Sequence, residues 1–287
     1  MTHETRTPML QNLPVKRLTH DSLTIEGYSR AAVQTYWRIP ELKIGFDLGA
    51  QPWDFMGTPR WFVTHTHLDH IAAIPLYISR RRMMKMDPPH IYLPEHAIAP
   101  VQQILRAFSR LDRSRMPCEL VGIAAGDEIE VSRELVVTVG EAIHTVPAYS
   151  FIVWERRRKL KPEYHGLPGD KIRDLRLSGV EVTHEYRFPI VGYLGDSQIA
   201  GLDRNPDLLR AKILIMEMTF VAPGHRKEII RKHGHIHLDD VAERRHDFQN
   251  EKIIAAHFST RYHSRQIRHW VRQKLPDLLD GRLELWL

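Results

Sequence analysis

The segment Val63-Thr64-His65-Thr66-His67-Leu68-Asp69-His70 puts three imidazoles and one carboxylate into six residues. Imidazole nitrogen and carboxylate oxygen are suitable zinc ligands. Neighbouring side chains on a turn diverge, so four such groups do not readily converge on one ion. Two adjacent metals sharing the cluster is the more natural arrangement, and it requires further ligands from elsewhere, each at the end of a strand. His144 in EAIHTVPAYSF, Asp196 in VGYLGDS and His257 in AAHFSTRY each follow an apolar run, and Asp47 ends another in GFDLG. Singly, each reads more readily as a cap or a hydrogen-bonded structural residue. Behind HTHLDH, their order points to metal. Asp47 reads equally well as a turn residue beside Gly49.

Positioning these groups calls for short strands opening into turns. Val- and Ile-rich runs occur at Leu42 to Leu48, Trp61 to Thr64, Ile91 to Leu93, Leu135 to Val139, Phe151 to Trp154, Ile190 to Leu194, Ile213 to Met216 and Ile253 to Ala256. Helical stretches are expected at Ile71 to Met86, Ala97 to Leu111, His237 to Asn250 and Ser264 to Leu275. Strands dominate first and then alternate with helices, which indicates a layered α/β protein. Glu155 to Arg176 differs: it is strongly basic, holds two prolines and two glycines, and has few apolar residues in any period. Composition alone reads it as a solvated surface insertion, a protruding loop or arm.

The chain of 287 residues is 43% hydrophobic and 26% charged, ordinary for a globular protein with a substantial core. Its charge of +6 makes an anionic partner plausible without identifying one. Eighteen histidines are the unusual feature, suited to metal binding and proton transfer. The one cysteine, Cys118, excludes a disulfide framework and a cysteine-only zinc site, and suits a cytoplasmic location. No apolar run is long enough for a transmembrane helix, so no membrane partner is expected. The first 18 residues lack an apolar signal core and read as a loose N-terminal extension.

HxHxDH followed by a histidine, a Gly-Asp and a late histidine resembles the metallo-β-lactamase superfamily. The late motifs narrow this further. His257-Phe258-Ser259-Thr260-Arg261-Tyr262 resembles the HFSxRY signature of the tRNase Z family, Met216-Glu217-Met218-Thr219-Phe220 its HEATF motif, and Gly234-His235 its GHS motif. KLKPEYHGLPGDKIRDLRLSGVEVT is similar to the corresponding region of its short, plant-type members. The likeness runs from about residue 24 to the end. Met216 stands where HEATF has histidine, and Ile236 and His237 replace the Ser-Thr of the GHST form.

The resemblance implies a four-layer αββα sandwich as a single domain over 1–287, with residues 155–184 as a short basic arm. It implies two Zn2+ per subunit, with Mn2+ or Fe2+ as alternatives. His65, His67 and His144 would hold one metal; Asp69, His70 and His257 would hold the other; Asp196 would bridge them. Asp47 would orient a ligand histidine. The activity implied is endonucleolytic removal of the 3′ trailer of precursor tRNA, leaving a 3′-hydroxyl and a 5′-phosphate. Asp69 would accept a proton from the attacking water, and His235, supported by Glu217, would protonate the leaving ribose oxygen. His237 is a rival for that role, its bland reading being a surface histidine at a helix start. Arg156, Arg157, Arg158, Lys159, Lys161, Lys171, Arg173 and Arg176 would grip the tRNA away from the cut. A homodimer is implied, one subunit's arm aiding the other's site. Arg80, Arg81, Arg82 and Lys85 are read as helix C-terminal cations, and Arg261 as a phosphate contact or a buried ion pair. Two rival functions remain at this point: a hydrolase of a small phosphodiester, thioester or lactone on the same fold, and a metal-stabilised RNA-binding protein without turnover.

Overall fold

Residues 13–287 are described by a computed structural model. The first half of the chain forms a seven-stranded sheet: β1 (Lys16–His20), β2 (Leu23–Arg30), β3 (Gln34–Ile39), β4 (Ile44–Leu48), β5 (Arg60–Phe62), β6 (His90–Pro94) and β7 (Glu119–Ile123), in that spatial order. The second half repeats the design with β8 (Glu128–Ser132), β9 (Leu135–Ala142), β10 (Ala148–Leu160), β11 (Thr183–Tyr193), β12 (Ile213–Glu217), β13 (Lys252–Ala256) and β14 (Leu283–Leu285), ordered sequentially across the sheet. In each sheet the first four strands pair antiparallel and the last four parallel. The helices are α1 (Leu68–Ile71), α2 (Ile74–Met83), α3 (Ile98–Leu111), α4 (Gly169–Leu177), α5 (Gly201–Arg204), α6 (Lys227–Lys232), α7 (Leu238–Glu243) and α8 (Ser264–Lys274).

Alternation along the strands sets the layers. Ile213 and Ile215 of β12 point into a core shared with Phe46, Phe62 and Trp37 of the other sheet. Leu214 and Met216 point the opposite way, against Val241 of α7 and Ile267 and Val271 of α8. Trp61 and Val63 likewise face Tyr77 and Ile78 of α2 and Val101 and Leu105 of α3. The result is the four-layer αββα sandwich that the resemblance implied. Among the described residues no helix is long and apolar enough to cross a membrane.

Three expectations change. The single helix over Ile71 to Met86 is broken at Ala72–Ala73, because Pro75 opens α2 and supplies no backbone donor to continue α1. The helix expected over His237 to Asn250 ends at Glu243; Asn250 is buried and its amide donates to the Leu208 carbonyl at 2.8 Å, which turns the chain back towards the sheet. Glu155 to Arg176 is not a loop. The β10–β11 ladder continues past the sheet, Arg156 opposite Arg187 and Leu160 opposite Thr183, and α4 caps the ribbon. Cross-strand carboxylates offset the basic density: Glu130 and Glu185 lie beside Arg156, and Glu128 beside Arg187. The loose N-terminal segment lies outside the described residues up to position 12, and from Lys16 the chain is strand.

Candidate metal centre

The site lies at one edge of the sandwich, where strands of both sheets end. β5 leads into HTHLDH, β9 into His144, β11 into Asp196 and β13 into His257, while Asp47 lies within β4 near its end. Strand ends present side chains of different sequence origin at one rim, which explains the spacing of the motifs.

Two groups of donor atoms form there. His65 Nε2 and His144 Nε2 lie 3.1 and 3.2 Å from His67 Nδ1. Beside them, Asp69 Oδ2 lies 3.7 Å from His70 Nε2 and 3.6 Å from His257 Nε2. Asp196 Oδ2 joins the groups, 3.3 Å from His257, 3.5 Å from His70 and 3.8 Å from His65. Ligands on a tetrahedral zinc stand roughly 3.4 Å apart. Among the described residues His70 Nε2 and His257 Nε2 are buried without a hydrogen-bond partner, a costly state for a polar atom. The donor set therefore fits bound divalent cations.

Four of the five rings are oriented through their other nitrogen. His70 Nδ1 donates to Asp47 Oδ2 at 2.8 Å, His144 Nδ1 to the Gly234 carbonyl at 2.9 Å, His65 Nδ1 to Thr64 Oγ1 at 3.0 Å, and His257 Nδ1 to Thr219 Oγ1 at 3.0 Å. Each leaves an Nε2 lone pair turned into the site. Gly234 has φ +70°, and an added Cβ would lie 2.6 Å from His144 Nδ1, so only glycine brings its carbonyl to that ring. Burial and then the His70 ring hold His65 well below the usual histidine range, and burial also lowers His67 and His144, favouring the neutral form a ligand needs. Burial alone would raise Asp196, but His257 and His70 hold it well below the usual carboxylate range.

Asp47 is fully buried and accepts from the Thr64 amide at 2.8 Å, the Thr64 hydroxyl at 3.0 Å and the Tyr193 hydroxyl at 2.6 Å, as well as from His70. Asp69 Oδ2 accepts from the backbone amide of Ala32, in the turn between β2 and β3, at 2.9 Å. That turn is clipped to the late motif by the Ala31 amide on the Phe258 carbonyl and by Arg30 on the Tyr262 carbonyl.

His235 and Glu217 stand beside these donors. His235 Nδ1 lies 2.8 Å from Glu217 Oε1, and Glu217 also accepts from the amides of Ser197 at 2.9 Å and Ile236 at 3.2 Å. Burial opposes a charged His235, yet Glu217 outweighs it and raises the ring to about 9. His235 lines the cleft with Asp69, Asp196, His257 and Arg261. His237 does not: it is buried, caps α7 through Nδ1 to the Asp239 amide, and pairs Nε2 with the Ala222 carbonyl. Arg261 is exposed and makes no ion pair among the described residues, which removes the buried-pair reading. Of the basic helix end, Arg81 is buried and donates to the carbonyls of Asp87 and Met56.

The eight basic arm residues are not part of this cleft. β10 starts at the metal edge with Ala148 and ends at Leu160 on the far side, about 40 Å away at ~3.3 Å per residue. Arg156 pairs with Glu130 at 3.1 Å and Arg157 with Glu155 at 2.6 Å. Arg158, Lys159, Lys161, Lys171, Arg173 and Arg176 make no ion pair among the described residues; Lys159 sits 4.2 Å above the Tyr186 ring. Motif reading assigned no role to Thr64, Tyr193, Thr219, Gly234 or Ala32. Thr64, Thr219 and Gly234 lie next to or within the motifs, but Tyr193 and Ala32 carry no local signal, since backbone groups and distant residues reveal themselves only on folding.

No protein-family model matches the chain. It is 34% identical over 270 residues to tRNase Z TRZ1 of Arabidopsis thaliana, spanning 93% of this chain and 96% of that protein. Among solved structures, the metallo-β-lactamase fold protein YhfI of Bacillus subtilis superposes with a TM-score of 0.61 at 13% identity, covering 90% of this chain and 92% of that one. The short form of human tRNase Z superposes with a TM-score of 0.50 at 17% identity, covering 83% and 87%.

Proposed function

This chain belongs to the tRNase Z family, and we propose on that premise that it cuts precursor tRNA endonucleolytically and releases the 3′ trailer. The observation that carries the reading is the seven-residue donor set around Asp196, with the His235–Glu217 pair at its rim. His65, His67 and His144 would hold one metal and Asp69, His70 and His257 a second, with Asp196 shared between them and zinc the ion their donors suit best. Bound there, two such ions supply Lewis-acid stabilisation of the phosphate and acidify water for attack near neutral pH.

The residues of the chain do the rest. Asp69, fixed by the Ala32 amide, takes a proton from the attacking water. His235, held protonated by Glu217, gives its proton to the departing ribose 3′ oxygen, leaving a 3′-hydroxyl on the tRNA and a 5′-phosphate on the trailer. Asp47 keeps His70 in the tautomer that turns Nε2 inward. One catalytic unit spans the chain, and residues 155–184 serve as its RNA-gripping arm. The arm leaves from the edge opposite its own cleft, so it is best placed to steady RNA bound to a second copy, which supports a homodimer.

A cleavage assay on precursor tRNA tests this reading. The expected result is one cut after the discriminator nucleotide, abolished by a chelator and by Asp69→Ala. Binding without cutting would favour a non-catalytic RNA-binding protein. Hydrolysis of a small phosphodiester with neither binding nor cutting of tRNA would favour a small-molecule hydrolase.

A further inference from the structure

A second groove opens beside the metal cleft. The loop that follows β4 carries Gly49, Ala50, Gln51, Pro52 and Trp53, and with Leu76 and Arg80 of α2 it encloses about 490 Å3. Gly49 and Ala72 line both spaces. Leu68, Ala72, Leu76 and Arg80 follow one another at intervals of four, the first two along the metal cleft and the last three along the groove. Ala72 and Ala73 keep right-handed helical backbone across the break between α1 and α2, so the row passes from one space into the other. Gly49 lies at the divide: an added Cβ there would fall 1.7 Å from the Asp69 carbonyl oxygen, so the wall has no room to thicken.

The groove has the chemistry of a nucleotide site. Trp53 is 44% exposed and Leu76 47% exposed, so both present apolar surface to the groove. The Arg80 guanidinium lies 5.5 Å from the Trp53 ring centre. It is anchored by neutral acceptors, the Gln51 carbonyl at 3.1 Å and the Gln51 side-chain oxygen at 2.5 Å, and has no carboxylate partner among the described residues. An exposed indole with a positioned cation over one face, and no carboxylate partner for that cation among the described residues, suits a stacked base and its phosphate.

We propose that Trp53 and Arg80 form a subsite for one unpaired nucleotide of the trailer as it leaves the metal cleft. This rests on the family reading of the substrate. On the tRNA-body side of the cut one unpaired nucleotide, the discriminator, stands on a duplex stem, whereas a single-stranded trailer can turn a base out onto an indole. Trp53 is thus a specificity residue reading the presence of a base rather than its identity, because every base has a π-face.

The test uses the full-length, metal-loaded protein and precursors with an abasic nucleotide at each of the first four trailer positions. For the wild type, one position should lose about 10-fold in kcat/KM, chiefly through KM. Trp53→Ala should show that loss already with the intact trailer and none further with the abasic one, while Trp53→Phe should retain the discrimination. Arg80→Ala should reduce the salt slope of binding by about 0.7, one single-strand phosphate. A flat abasic scan in the wild type overturns the subsite. So does a Trp53→Ala enzyme that loses as much on bis(p-nitrophenyl) phosphate as on precursor tRNA, since that marks damage to the cleft. Failure of the wild type to cut any precursor overturns the substrate reading itself, and the trailer site with it.

Discussion

Nδ1 of His70 lies 2.8 Å from Oδ2 of Asp47, with both side chains fully buried and 23 residues apart. The pair sits under the rim of the donor cluster, and Asp47 adopts φ +55° to present its carboxylate there. Asp47→Ala would strand the donors of Thr64, Tyr193 and His70 together. The expected outcome is a 10- to 100-fold loss of metal affinity by chelator competition, roughly the effect of removing a partner of a ligand histidine. Denaturant unfolding should show a loss on the order of 3–5 kcal/mol from leaving buried polar partners unpaired. Unchanged metal affinity would count against the orienting role.

Thr219 is the corresponding support on the other side. Its hydroxyl donates to Glu217 and accepts from His257 Nδ1 at 3.0 Å, so one buried oxygen ties a candidate ligand to the candidate acid's partner. Thr219→Val keeps the shape and removes both bonds. It should weaken metal binding about 10-fold, whereas Thr219→Ser should restore most of it. Equal behaviour of the two variants would mean that Thr219 acts through packing alone.

His235→Ala should lower kcat on precursor tRNA by about 10²- to 10⁴-fold, the usual contribution of a general acid. The proton itself can be followed in the metal-free protein by histidine NMR, where the ring should titrate at about 9. The raised value fixes the sign of the linkage. The His235–Glu217 interaction stabilises the fold fully below the ordinary histidine value near 6.5 and loses that contribution as pH rises through about 9. Glu217→Gln should return the ring towards its ordinary value and flatten that part of the stability profile. A ring that still titrates near 9 in this variant would refute the assignment.

Ala32 carries the amide that holds Asp69, at φ +59°, a conformation that costs a residue with a Cβ. Ala32→Gly keeps the donor and relieves the strain. It should stabilise the protein by about 1 kcal/mol in denaturant unfolding without lowering the cleavage rate. Destabilisation would show that the Ala32 methyl packs usefully.

Within the arm, the ribbon and its helix should separate in their effects. Neutralising Lys171, Arg173 and Arg176 of α4 should lower precursor-tRNA affinity and reduce the salt slope by two to three, at ~0.9 per phosphate. Arg156, already paired with Glu130 and Glu185, should contribute mainly to local structure. Filter binding over a salt series distinguishes them, and an unchanged slope in the α4 triple variant would remove that helix from the RNA interface.

Each of the eight apolar runs read from the sequence overlaps a strand, three of them overrunning its end by a residue or two, because strands buried on both faces are written in continuous Val and Ile. β1, β2, β3, β7, β8 and β14 escaped that reading: β2 and β3 carry buried Glu26, Ser29 and Thr35, and β7 and β8 are half-exposed, so neither run shows a simple apolar pattern. Donor identity and order were legible in HTHLDH, His144, Asp196 and His257, since ligand chemistry resides in side-chain type and strand ends recur along the chain. What each imidazole nitrogen does was not legible. His144 is oriented by a carbonyl 90 residues away and Asp69 by an amide 37 residues away, contacts that exist only once strands distant in sequence have assembled into their sheets. The same holds for His235 against His237. Two residues apart, they have one chemistry in the sequence. Only the tertiary structure gives one of them Glu217 and the cleft, and the other a helix cap, because partners and burial are properties of the folded neighbourhood.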